Sequence, residues 1–151
     1  MSVVFRAARR PDVAAVVALL TDDALGARRE GEALEVYLAA FEAMQAEGSN
    51  DLIVGELEGR IVATYQITFI RGLSLRASRR ANIESVRVAS DLRGRGIGQA
   101  LIADAETRAR AAGCTLMQLA MNATRSDARR FYEREGFEAS HLGFKKPLQP
   151  D

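Results

Sequence analysis

Arg93-Gly94-Arg95-Gly96-Ile97-Gly98 is the segment of this chain whose residue types and spacing point most directly to chemistry. It lies between the apolar run Val86-Arg87-Val88 and a helix-like stretch opening at Gln99-Ala100-Leu101. Alternate glycines at a strand-to-helix junction let the backbone turn tightly and present bare N–H groups, added to the positive end of a helix dipole, to a phosphate. Arg93 and Arg95 add cationic donors for the same anion, so the segment predicts a pyrophosphate cradle. Two other phosphate loops do not fit it. A Walker loop needs Lys and then Ser or Thr after the last glycine, where this chain has Gln99 and Ala100. A dinucleotide fingerprint needs its third glycine three positions after the second and an acidic residue at the next strand end, where Gln118 stands.

Other reactive residue types are scarce. Cys114 is the only cysteine and His141 the only histidine, which rules out an internal disulfide, a multi-cysteine zinc site and a His-rich metal site. No metal is expected, and no Ser-His-Asp triad can be assembled. Cys114 reads as a small apolar residue at a strand start. A net charge of +1 and few aromatic residues argue against nucleic acid as a partner. No apolar run approaches a membrane span, and Met1 to Ala7 lacks the pattern of a secretory signal, so a cytoplasmic protein is expected. At 151 residues, a single domain over 1–151 can bury its own core.

The elements that must position the glycine turn follow from periodicity. A short strand is expected at Val3 to Arg6, and Pro11 and Asp12 open a helix with Val13, Val16, Val17 and Leu20 on one face. Leu34 to Gln45 predicts a second helix, and the linker from Thr21 to Glu32 a solvated loop or substrate lid. Leu52 to Leu57 and Ile61 to Ile70 read as strands joined by a tight turn at Glu58-Gly59-Arg60. Arg71 to Arg80 reads as a mobile hairpin loop. Ile83 to Val88 is a strand, Ile97 to Ala112 a helix closed by Gly113, and Leu116 to Met121 a further strand. A short helix then runs from Ser126 or Asp127 to Glu135, and a terminal strand or hairpin spans Phe137 to Pro147. The fold class is therefore mixed α/β: a mostly antiparallel sheet flanked by helices, with one parallel pair at the glycine turn.

Arg93, Gly96 and Gly98 match Arg-x-x-Gly-x-Gly, and Ala128-Arg129-Arg130-Phe131-Tyr132-Glu133-Arg134-Glu135-Gly136-Phe137 matches Ala-x-x-x-Tyr-x-x-x-Gly-Phe. Both patterns resemble the GNAT superfamily of N-acetyltransferases, and with the early helices and hairpin the likeness extends over essentially the whole chain. Asn122 to Tyr132, followed by Ser140 to Lys146, is also similar to the bacterial aminoalkylphosphonate acetyltransferase branch. The resemblance implies the GNAT-like acyl-CoA N-acyltransferase fold, acetyl-CoA as cofactor, a primary amine of a small molecule or peptide as acceptor, direct attack without a covalent enzyme intermediate, and a homodimer.

It also implies site residues. Backbone groups of Val86, Arg87 and Val88 would pair with the pantetheine arm, and Arg93, Gly94, Arg95, Gly96, Ile97 and Gly98 would hold the pyrophosphate. Tyr132 would be the general acid, because a phenol of pKa near ~10 stays protonated at neutral pH and can protonate a thiolate. Glu84, placed by alternation on the face of Val86 and Val88, is the candidate base; pairing with Arg80 is its structural alternative. Asn122, Asp127 and Ala128 are further candidate cofactor contacts, Asn122 serving otherwise to shape a turn, and Ser85 is a lesser candidate. Family members commonly carry Asn three residues before the motif's alanine, where this chain has Arg125. The competing expectation is a non-catalytic acyl-CoA-binding regulatory module on the same fold.

Overall fold

The computed structural model describes residues 2–22 and 30–149. Strands β1 (Val4–Ala7), β2 (Asn50–Leu57), β3 (Arg60–Arg71), β4 (Arg79–Val88) and β5 (Leu116–Leu119) form one sheet in that spatial order. The first three ladders are antiparallel and the β4–β5 ladder is parallel. Helix α1 (Val13–Leu20) follows a 3-10 turn at Arg10–Asp12, α2 is Leu34–Glu47, α3 is Ile97–Ala111, and α4 is Ser126–Arg134. The chain divides into two compact units, one ending at Leu119 and the other beginning at Ala120. The sheet and α1 to α3 make up the first; α4 belongs to the second.

The local chemistry explains these elements. Glu58 and Gly59 both take positive φ, 50° and 82°, which is the two-residue turn whose twist matches antiparallel strands. Leu57 thus faces Arg60 and sets the β2–β3 register. On one sheet face Val54 packs with Ala8, Val13, Val16 and Phe41 beneath α1 and α2. On the other lies α3, whose buried residues Ile97, Leu101, Ala105 and Ala109 recur every four positions. The alanines in that row bring the helix close to β3 and β4. Tyr65 of β3 is fully buried there and donates its hydroxyl to Asp104 of α3 at 2.6 Å. Arg108 donates to the same carboxylate at 2.8 Å.

Four expectations need correction. The segment from Phe137 to Pro147 contains no strand; Leu142 and Phe144 are 85% and 90% exposed, as apolar alternation alone supplies no neighbour to take up a strand's backbone groups. The excursion from Arg71 to Arg80 is shorter than expected, since β3 runs to Arg71 and β4 starts at Arg79, leaving only residues 72–78 outside the sheet. The parallel ladder sits earlier than expected, joining Arg80 through Ile83 to Leu116 through Leu119. Glu84 does not share a face with Val88, for the reason given below. Of the expected loop or lid over 21–32, residues 23–29 lie outside the described residues.

Candidate functional site

In the first unit the site is built on the carboxyl end of β4. Gln66 pairs with Glu84 and Thr64 with Arg87, so β4 spends one more residue than β3 over this interval. The surplus sits at Ser85, whose φ is +56°. This is a β-bulge, which bends its strand and raises the local twist. It also resets the alternation: Glu84 shares its face with Arg87, Gln66 and Thr64, while Val88 lies opposite Ala63 on the other face. The parallel ladder with β5 ends at the Ile83–Leu119 pair, so residues 84–88 of β4 extend past it. Arg87 Nη1 donates to the Val86 carbonyl at 2.9 Å, so one acceptor on that stretch is already engaged.

The glycine turn follows directly. Gly94 and Gly96 have φ of +79° and +80°, a region that costs other residues about 1–2 kcal/mol. A Cβ at either position would meet nothing within 4 Å, so backbone conformation and not crowding calls for glycine there. Gly96 is the N-cap of α3 and no side chain caps that end, which leaves the first-turn N–H groups to an outside acceptor. Ile97 is buried and anchors the helix, offering only its backbone. Arg93 and Arg95 are exposed. Just upstream, Asp91 forms a bidentate pair with Arg60 of the β2–β3 turn, both bonds 2.9 Å. That pair lowers the Asp91 pKa below the ordinary carboxylate value, the hydrogen bonds from Arg60 being the largest cause. Glu84 is exposed and makes no ion pair with Arg80 or any other described residue, so the structural alternative for it is absent.

A cavity of about 170 Å³ adjoins the same stretch of sheet, between α1, α2 and strands β2 to β4. Val16, Phe41, Met44, Thr64, Gln66 and Ser85 are among its lining residues. No motif in the sequence marks it. The one legible signal is the apolar face of α1, whose Val13, Val16, Val17 and Leu20 all line it.

The second unit carries the remaining candidates. Tyr132 is half-buried on α4, with Phe131 and Phe137 edge-on at ring-centre distances of 5.1 and 5.8 Å. Ala128 is half-buried one turn earlier. Asp127 is exposed and pairs with Arg130. Asn122 shapes a turn: its Oδ1 accepts from the Thr124 N–H at 3.0 Å and the Thr124 hydroxyl at 2.5 Å. Among the described residues no group of three or more His, Cys, Asp and Glu could hold a metal, and no helix is long and apolar enough to cross a membrane.

β4, bulged at Ser85, thus leads through left-handed glycines into an uncapped helix. The model of the acetyltransferase (GNAT) family matches residues 13–137. The chain belongs to that family. The fold agrees closely with solved structures. A Bacillus halodurans protein named as a transcriptional regulator superposes with a TM-score of 0.92 at 41% identity, covering 97% of this chain and 99% of that one. Glucosamine-6-phosphate N-acetyltransferase of Arabidopsis thaliana gives 0.79 at 20% identity, with 99% and 100% covered. A Clostridium acetobutylicum protein named as a predicted acetyltransferase, solved with acetyl-CoA, gives 0.75 at 18% identity, with 97% and 96% covered. In sequence, 66 residues are 47% identical to the aminoalkylphosphonate N-acetyltransferase of Salmonella typhimurium, covering 44% of this chain and 43% of that enzyme. The matched part thus spans less than half of that relative.

Proposed function

We propose that this GNAT-family chain is an acetyl-CoA-dependent N-acetyltransferase acting on a primary amine of a small molecule. The left-handed glycine turn that leads from the end of β4 into an uncapped helix carries this reading, because such a helix end suits a diphosphate and the stretch of β4 past its β5 ladder suits the amide-bearing pantetheine arm. When bound, acetyl-CoA supplies a thioester whose C–S bond breaks as the acceptor's C–N bond forms, giving the N-acetyl amine, free coenzyme A and one proton. The rest falls to the chain. Backbone N–H groups at 94–98 and the guanidiniums of Arg93 and Arg95 bind the diphosphate. A main-chain N–H at 86–88, aimed in advance at the thioester oxygen, contributes about 3 kcal/mol to lowering the barrier. Glu84 takes the ammonium proton, directly or through water, and Tyr132 donates a proton to the thiolate. Asn122, with its side-chain oxygen committed to Thr124, contributes through its turn, and Asp127 and Ala128 through the first turn of α4.

The rival reading is an acyl-CoA-binding regulatory module, favoured by the likeness to a protein named as a transcriptional regulator. Thiol release from acetyl-CoA across polyamines, aminoglycosides, aminophosphonates, arylalkylamines and peptides separates the two. Turnover of any amine supports the transferase; tight acetyl-CoA binding with no thiol release from any of them supports the module. We also take the chain to act as a homodimer, which sedimentation of the purified protein tests.

A further inference from the structure

The cavity beneath α1 and α2 offers one polar feature that is set by a chain of hydrogen bonds. Asn50 Nδ2 donates to Glu47 at 3.1 Å, which leaves Asn50 Oδ1 as an acceptor. Gln66 Nε2 donates to that oxygen at 2.8 Å and the Thr68 hydroxyl adds a second bond at 3.3 Å. One of the two amide N–H groups of Gln66 is thus engaged, which fixes the orientation of that amide and leaves its carbonyl oxygen Oε1, which accepts nothing from the described residues. The other hydroxyls of the lining are spent, except that of Ser85. Thr64 donates to the Ile53 carbonyl at 2.8 Å, and Tyr37 donates to Glu30 and accepts from the Gly31 N–H. Among the described residues, no charged side chain lines the cavity.

Register brings this acceptor beside the candidate base. Gln66 and Glu84 are directly opposed on β3 and β4 and face the same side of the sheet, and such partners hold their Cβ atoms about 5 Å apart. Ser85, the bulge residue, belongs to the cavity wall itself. An apolar chamber of about 170 Å³ is comparable to the ~150 Å³ apolar cavity known to admit a benzene ring.

We infer that the acceptor is a primary amine carrying an uncharged apolar body of about one aromatic ring, with that body in the cavity and its nitrogen donating to Gln66 Oε1 beside Glu84. The inference rests on the transferase reading for what happens to the nitrogen, but not for what the cavity binds. A phosphonate or a second ammonium in this chamber would have to shed its water against walls whose described residues carry no charge, the charged groups on that sheet face, Arg87 and Glu84, standing outside the described lining. An arylalkylamine does not incur that cost. The proposal therefore sets this chain apart from the aminoalkylphosphonate enzyme it partly resembles.

The test compares phenethylamine with 2-aminoethylphosphonate and putrescine on the wild type and on Ala40→Phe, whose new ring enters the cavity from an exposed position on α2. Thiol release gives turnover, and calorimetric titration of each amine, with and without coenzyme A, gives binding. Phenethylamine is expected to exceed both charged amines in kcat/KM by about tenfold or more, and Ala40→Phe to raise its KM by a similar factor while leaving the KM for acetyl-CoA unchanged. A preference for either charged amine overturns the proposal, as does phenethylamine binding that is undetectable or equally tight in Ala40→Phe. If no amine releases thiol but phenethylamine binds and Ala40→Phe weakens it, the transferase reading falls and the cavity assignment stands.

Discussion

Glu84 and Tyr132 carry the proton chemistry of the proposed reaction, and each makes a separate prediction. An alkylammonium of pKa near ~10 is almost wholly protonated at neutral pH, so the reaction needs an acceptor for its proton. Glu84→Gln removes that acceptor and leaves the free amine to be supplied by solution ionisation. Its kcat/KM profile is expected to move to higher pH, and a profile superimposable on the wild type would place the base elsewhere. Tyr132→Phe is expected to lower kcat by about 10²-fold with acetyl-CoA KM unchanged in steady-state assays, since the aromatic packing against Phe131 and Phe137 survives the loss of one oxygen. Both candidates come from the sequence, Tyr132 from its motif and Glu84 from its strand. What alternation misjudged was the face of Glu84, because the surplus residue at Ser85 leaves no mark in a pattern of apolar and polar positions.

Among the elements, α3 ties the glycine turn to the core. Burial, followed by the hydrogen bond to Asp104, raises the Tyr65 phenol well above its ordinary value of 10.0. A phenol raised in this way contributes stability that is fully present below pH ~10 and is lost as the unfolded chain begins to ionise above it. Stability should therefore fall as pH rises past about 10, and Tyr65→Phe should flatten that fall in alkaline denaturant titrations. At neutral pH the same substitution removes a hydrogen bond to a charged group, an expected loss of about 2 kcal/mol and about 6 °C in Tm by calorimetry. Gly96→Val tests the other end of α3. Its Cβ meets no neighbour, so the expected damage comes from forcing φ away from +80°: acetyl-CoA KM up about tenfold in the thiol-release assay, with the fold retained by circular dichroism. The α3 helix, the β2–β3 turn and the parallel crossover were all legible, as each has a local signal. The Tyr65–Asp104 contact was not, because its partners lie 39 residues apart.

Across the whole molecule, order is unequal. β3 is flanked by strands on both sides and buried through Val62, Ala63, Thr64 and Tyr65, whereas residues 138–149 form neither helix nor strand. Amide exchange should accordingly be slowest in β3 and complete within seconds over 138–149. Slow exchange in the latter segment would mean that Leu142 and Phe144 find a partner strand, and its concentration dependence would show whether a second copy supplies it.

The linear order of residues was enough to reveal the mixed α/β class, the glycine turn at a strand-to-helix junction and the family to which both motifs pointed, because glycine spacing and apolar periodicity act over a few neighbouring residues. Folding alone settled where the β4–β5 ladder stops, how one extra residue turns Glu84 toward Gln66 and away from Val88, and that α1 and α2 leave a chamber over the sheet. Those features depend on which strands and helices meet, and such meetings are made by burial between segments far apart in the chain.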